Sequence, residues 1–251
     1  MSVSNKNLVE RWLEENQDHG LPVTGFDVAK DRTALVVVDP QKDFLHPEGV
    51  AWAAVGQSVT DNDTVANIER LMQAAVSSDT PIVVSPHYYY PTDHKWAFEG
   101  TLEKLMHSIN MFDRKGPLNL DGFEGSGADW MDEYKPYLKD GESIICSPHK
   151  VYGPENNDLV LQLQKRRIDR VVLAGMSANL CVESHLRELL ECGFEVTVVA
   201  DATAAAQVPG HDGMLAALVN YRMLASDVWT TENAVSALTD DQATAMTSSA
   251  A

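Results

Sequence analysis

The chain is poor in cysteine, poor in basic residues and without any long apolar run. Its three cysteines, Cys146, Cys181 and Cys192, form an odd set with no CxxC pair. That argues against a disulfide framework and suits a reducing, cytoplasmic setting. No stretch approaches the length of a transmembrane helix. The opening MSVSNKNLVERWLEEN lacks the apolar centre of a secretory signal and reads as a short amphipathic helix. Lys and Arg number 19 against 37 Asp and Glu, giving a net charge of −18. Such a balance disfavours nucleic acid and anionic membrane surfaces as partners. Neither GxGxxG nor a P-loop signature occurs at a strand–helix junction, so a nucleotide-binding module is not indicated. Gly125-Ser126-Gly127 does not match the GxSxG elbow of a serine hydrolase. Internal repeats are absent too.

What is present alternates between strand and helix. The chain has 251 residues, 44% of them hydrophobic, enough to fill one sizeable core. Apolar runs at 34–38, 80–85, 143–147, 171–174, 195–200 and 226–229 read as about six strands. Helical spacing appears at 61–76, 102–109, 157–167, 180–192 and 212–224. This pattern predicts an α/β fold in three layers, a doubly wound and mainly parallel sheet with helices on both faces. Residues 1–30 are expected to be a helical extension, 31–232 the folded domain and 233–251 a polar tail. Residues 86–140 make a long, aromatic-rich connection of the kind that walls a pocket or meets another subunit.

Three chemistry-bearing side chains fall at the C-terminal ends of expected strands, the rim where open α/β sheets bind ligands. Asp39 ends the first strand and Pro40 halts it. Lys150 follows the strand broken by Pro148. Cys181 lies just beyond Gly175, in the first turn of a helix, where unpaired N–H groups and the helix dipole are expected to lower a thiol pKa and favour a nucleophilic thiolate. An acid, an amine and a thiol so placed suit nucleophilic acyl transfer. Trp96 and Phe98 are expected near the same rim, and His87 is a candidate to orient substrate.

These residues resemble a known family. DPQKDF (39–44), the lysine of SPHK (147–150), GMSANLCVES (175–184) and DAT (201–203) are similar, in order and spacing, to the isochorismatase-like cysteine hydrolases. That group includes nicotinamidases and N-carbamoylsarcosine amidohydrolase. The resemblance spans residues 30–230 and implies a catalytic triad of Asp39, Lys150 and Cys181. It also implies a cis peptide between Met176 and Ser177, with the N–H groups of Ser177 and Cys181 forming an oxyanion hole. The implied reaction is hydrolysis of a C–N bond in a small carboxamide or ureido compound through a thioester. Enol-ether hydrolysis and a catalytically idle binding role are the alternatives. Phe44, His87, Trp96, Tyr152 and Asn157 are the candidate substrate contacts. Family members assemble as dimers or tetramers, so a homo-oligomer is expected. The Asp-x-His pair that holds the nicotinamidase metal is missing between the first two strands, where only His46 occurs. No catalytic metal and no other cofactor are therefore expected. The segment after Lys150 also lacks the family's usual phenylalanine; Tyr152, Asn156 and Asn157 stand there instead.

Overall fold

The computed structural model describes residues 7–16, 20–22 and 24–240. In chain order they form α1 (Leu8–Glu15), β1 (Thr33–Val38), α2 (Lys42–Leu45), α3 (Trp52–Asp61), α4 (Thr64–Ser77), β2 (Ile82–Ser85), α5 (Thr101–Ser108), β3 (Ile144–Ile145), α6 (Leu159–Lys165), β4 (Arg170–Met176), α7 (Glu183–Glu191), β5 (Glu195–Ala204), β6 (Gln207–Val208), β7 (His211–Asp212), α8 (Gly213–Leu224), β8 (Asp227–Trp229) and α9 (Thr231–Thr239). Six strands make one sheet in the order β3-β2-β1-β4-β5-β8, and every pairing in it is parallel. The short β6-β7 ribbon is antiparallel and separate.

Central β1 shows why the sheet is covered on both faces. Leu35 and Val37 point into a core shared with Ile68, Leu71 and Met72 of α4 and with Ala234 and Leu238 of α9. Ala34, Val36 and Val38 point the other way, against Leu163 of α6, Leu186 and Leu189 of α7, and Leu218 and Tyr221 of α8. Period-two alternation thus feeds two cores from a single apolar run. The strand order reverses between β1 and β4, whose neighbours lie on opposite sides. Ligands of open α/β sheets bind in the crevice at such a reversal.

Two departures from the sequence reading have physical causes. The helix expected over 61–76 is α4, which begins three residues later at Thr64, and a helix that was not expected, α3, ends just before it at Asp61. Asp63 takes a left-handed backbone (φ 50°), and the Asn62 amide donates to the Thr203 carbonyl at 3.1 Å. Residues 233–239, assigned to the polar tail, belong to α9 and pack Ala234 and Leu238 onto the sheet. Thr230 caps α9, its hydroxyl accepting from the Asn233 N–H, and the DAT segment anchors the first turn: Asp201 Oδ1 accepts from the Thr231 N–H and hydroxyl at 2.7 and 2.8 Å. The remainder of the tail, from 241, lies outside the described residues.

The connection 86–140 is held by the first motif. Asp43 accepts from the Phe112 N–H at 2.6 Å and donates its own N–H to the Gly127 carbonyl at 2.8 Å. Lys42 N–H donates to Asp129 at 2.9 Å. Gln41 clamps the opposite side, accepting from the His87 N–H and donating to the carbonyls of His87 and Ala128. A Cβ at Gly127 would sit 1.9 Å from Asp43 Oδ1, so that approach admits only glycine. Among the described residues, no helix is long and apolar enough to cross a membrane.

Candidate active site

Four segments leaving the C-terminal ends of β1, β2, β3 and β4 meet at the reversal point. Asp39 follows β1 with a left-handed backbone (φ 48°), the kind of local strain that collects at functional sites. Cys181 follows β4, in a wide helical turn where the Val182 N–H reaches back five residues to the Ser177 carbonyl at 3.2 Å. The Met176–Ser177 peptide is cis. Gly175 (φ 116°) brings β4 so near β1 that a Cβ would lie 2.0 Å from the Val38 carbonyl oxygen. That close approach sets Cys181 beside Asp39.

Asp39, His87, His149 and Cys181 each contribute one polar atom to a cluster whose members all lie within 4.8 Å of one another. All four residues are buried, and Cys181 keeps only 4% of its surface exposed. His149 Nε2 donates to Asp39 Oδ1 at 2.7 Å. His87 Nε2 donates to the Lys150 carbonyl at 3.2 Å, and its ring sits 4.6 Å from that of His149. Behind the nucleophile, His185 Nδ1 donates to the Cys181 carbonyl at 2.7 Å. Its Nε2 accepts from the Ser85 hydroxyl at 2.8 Å, and Ser85 in turn accepts from Asn157 Nδ2 at 2.9 Å.

The electrostatics correct one expectation. Burial, and then the neighbouring Asp39 carboxylate, push the Cys181 thiol well above its ordinary range. The backbone N–H groups of Ser177 and Cys181 pull it downward, as the helix-start argument requires, but they are the smaller influence. The resting group at neutral pH is a thiol, with a carboxylate at hand to take its proton. Burial, reinforced by His149, holds His87 well below the usual histidine range. His185 is displaced the same way by the same two causes.

Lys150, expected beside Asp39 and Cys181, is directed elsewhere. Its ammonium donates to Asp93 Oδ2 at 2.6 Å and to the Tyr88 carbonyl at 2.7 Å, and lies 3.7 Å from the Tyr90 ring centroid. The cause is local and simple. The segment after Pro148 runs extended, with His149 bridged to His87. Successive side chains of extended backbone point to opposite faces. His149 therefore enters the cluster and Lys150 leaves it.

The other expected contacts divide. Tyr152 is half-buried and acts electrostatically with Cys181 and Glu103, which puts it by the site. Phe44 is buried against Phe112, centroids 5.1 Å apart. Trp96 packs edge-on to Tyr89 at 5.9 Å, and Phe98 is 92% exposed, outside any pocket wall. Asn157 spends its side chain on Ser85 and on the Leu159 N–H, so it supports His185 rather than a substrate. Sequence reasoning passed over His149 and His185, whereas Tyr89, whose ring lies 4.6 Å from that of His87, falls in the aromatic-rich connection expected to wall a pocket or meet another subunit. The first two have signals in the sequence: alternation after Pro148, and the spacing of four residues between Cys181 and His185 on one helical face.

An isochorismatase domain model matches residues 33–233. The uncharacterized isochorismatase family protein YecD of Escherichia coli is 43% identical over 58 residues, 23% of this chain and 31% of that relative. The ureidoacrylate amidohydrolase RutB of Pseudomonas savastanoi is 28% identical over 183 residues, 68% of this chain and 70% of the relative. Among solved structures, a cysteine hydrolase from Pseudomonas syringae superposes with a TM-score of 0.71 at 22% identity, covering 89% of this chain and 99% of that one. N-carbamoylsarcosine amidase from Thermoplasma acidophilum gives 0.58 at 20% identity, covering 80% and 97%. With four-fifths of its length matched by the domain model and the same α/β architecture in these neighbours, the chain belongs to the isochorismatase family of hydrolases.

Proposed function

We propose that this protein hydrolyses a C–N bond of a small carboxamide or ureido compound through a thioester on Cys181. The observation that carries the reading is the linked series Cys181, Asp39, His149, beside which the Ser177 and Cys181 backbone N–H groups favour negative charge. Asp39 accepts the thiol proton as sulfur attacks the carbonyl carbon, and the Ser177 and Cys181 N–H groups receive the oxyanion. The proton passes from Asp39 to the departing nitrogen, and the C–N bond breaks. Water then gives a proton to Asp39 and its oxygen to the acyl carbon, and the thiol is restored. His149 stands where Lys150 was expected and orients the Asp39 carboxylate through its 2.7 Å hydrogen bond. The near closure of the site around Cys181 favours small substrates. The names of two relatives, a ureidoacrylate amidohydrolase and an N-carbamoylsarcosine amidase, support the same bond class.

The test is ammonia release from a panel of small carboxamides and ureido compounds by wild type and Cys181→Ala. Release by wild type alone is expected. Equal release by the variant, or none by the wild type from any amide, would overturn the proposal.

A further inference from the structure

The four-residue cluster has unused bonding capacity that hydrolysis alone does not call for. Asp39 Oδ2, His87 Nδ1 and His149 Nδ1 are all buried without a hydrogen-bond partner. A buried polar atom left unpaired is costly, so Asp39 Oδ2 and His87 Nδ1 in one cluster mark a place suited to a ligand. His87 has its other ring nitrogen committed to the Lys150 carbonyl, so in the neutral ring Nε2 carries the proton and Nδ1 presents a lone pair. His149 Nε2 lies 2.7 Å from Asp39 Oδ1 and reaches an ion beside that carboxylate when its ring proton moves to the unpartnered Nδ1. A backbone carbonyl behind the ring, as His87 has, is an arrangement that orients metal-ligating histidines.

The donor set selects the ion. A thiol, two imidazoles and a carboxylate match the N, S and O ligands of four-coordinate Zn2+, while the sulfur disfavours hard cations such as Mg2+ and Ca2+. Metal–ligand bonds of about 2.0–2.3 Å put tetrahedral donors about 3.3–3.8 Å apart. Donors that already lie within 4.8 Å of one another need only a small inward turn of their side chains. The site is distinct from the Asp-x-His arrangement, whose pair the chain lacks.

We propose that Asp39, His87, His149 and Cys181 bind one thiophilic divalent cation of the Zn2+ and Cd2+ class. On binding, the Cys181 S–H bond breaks and its proton passes to solvent. The sulfur lone pair forms the metal–sulfur bond, and nothing is oxidised or reduced. The cation occupies the nucleophile, so it opposes turnover rather than assisting it. This consequence rests on the proposed cysteine chemistry; the binding itself does not.

Titration of the metal-free full-length protein with Cd2+, read by the ultraviolet thiolate-to-metal charge-transfer band, tests the site. One equivalent is expected to saturate the band in wild type and in a Cys146→Ser, Cys192→Ser double variant, and no band is expected in Cys181→Ser. His87→Asn and His149→Asn should each weaken binding by about 10–100-fold. A band that survives in Cys181→Ser, no one-equivalent band in wild type, or undiminished affinity in both histidine variants would overturn the proposal. Should the histidine variants fail to fold, Co2+ added to wild type decides: a strong visible spectrum of a four-coordinate sulfur-bound centre supports the site, and the weak spectrum of a six-coordinate ion refutes it. Cd2+ binding without amide hydrolysis would remove the proposed function and leave this inference standing. Hydrolysis without the Cd2+ band would do the reverse.

Discussion

Replacing Asp39 with Asn should make Cys181 more reactive towards a simple alkylating agent while abolishing turnover. The Asp39 carboxylate is the nearest negative charge to a thiol that burial already disfavours from ionising. Two unit charges about 4.8 Å apart, the upper limit set by the cluster, interact by about 3 kcal/mol at an effective dielectric constant of about 20. Removing that repulsion raises the thiolate population about a hundredfold at any pH below the thiol's titration, at about 1.4 kcal/mol per factor of ten. A less basic thiolate is a poorer nucleophile, with a coefficient of about 0.4–0.5, which cancels about half of the exponent. A net gain of about tenfold in the iodoacetamide rate remains. The assay follows alkylation of the Cys181 peptide by mass spectrometry at neutral pH in both proteins. Cys146, pushed up to about 12 by burial, serves as the internal control. Equal or slower alkylation of Cys181 in Asp39→Asn would refute the electrostatic account, and retained turnover would refute Asp39 as the base.

Three further expectations follow from the geometry. On any amide that the enzyme hydrolyses, His149→Asn should lower kcat by at least about 100-fold, the scale of lost acid–base assistance, while Lys150→Gln stays within about tenfold. The opposite ranking in steady-state kinetics would restore the lysine to the triad. Gly175→Ala forces a Cβ to within 2.0 Å of the Val38 carbonyl at φ 116°, and should cost at least about 3 kcal/mol from overpacking and backbone strain together; urea denaturation measures it. Burial raises the Asp201 carboxyl above the ordinary range against the pull of its Thr231 hydrogen bonds. The folded state therefore holds that proton at a pH where the unfolded chain has lost it. Its stabilising contribution is complete below the unfolded value of about 3.9 and is lost as pH rises through the raised folded value. The stability of wild type relative to Asp201→Asn should accordingly improve as pH is lowered from 7 towards 4, and urea midpoints that show no trend or the opposite one would contradict this.

The parts of the fold that were legible in the sequence are those buried on both sides. β1, β4 and β5 carry continuous apolar runs because helices cover each face, and that signal survives without any neighbour being known. α3 was passed over because Gly56 interrupts the helical pattern, and only in the fold is that glycine seen to lie under the Trp52 ring. α9 falls in the expected tail because TENAVSALT is small and polar; its cap is the local Thr230–Asn233 box, and its first turn is tied to the sheet by Asp201, thirty residues earlier. At the site, the meeting of Asp39 and Cys181 followed from their shared rim. The exchange of His149 for Lys150 did not, because charge was weighed there and alternation along extended backbone was not. Gln41, Lys42 and Asp43 were visible as a motif, but their grip on residues 112 and 127–130 is tertiary.

The sheet also ends in very short strands: β3 pairs through two residues and β8 is three residues long. An open edge exposes unpaired N–H and C=O groups on which another chain can grow a strand, and a long, flat, apolar edge invites amyloid-like stacking. Here the long valine-rich strands lie at the centre, and the margins are too brief to template a partner. Pro148, three residues beyond β3, removes a donor where the margin would otherwise lengthen. The brevity of both margins thus keeps a sheet of strongly cohesive strands from recruiting copies of itself edge to edge.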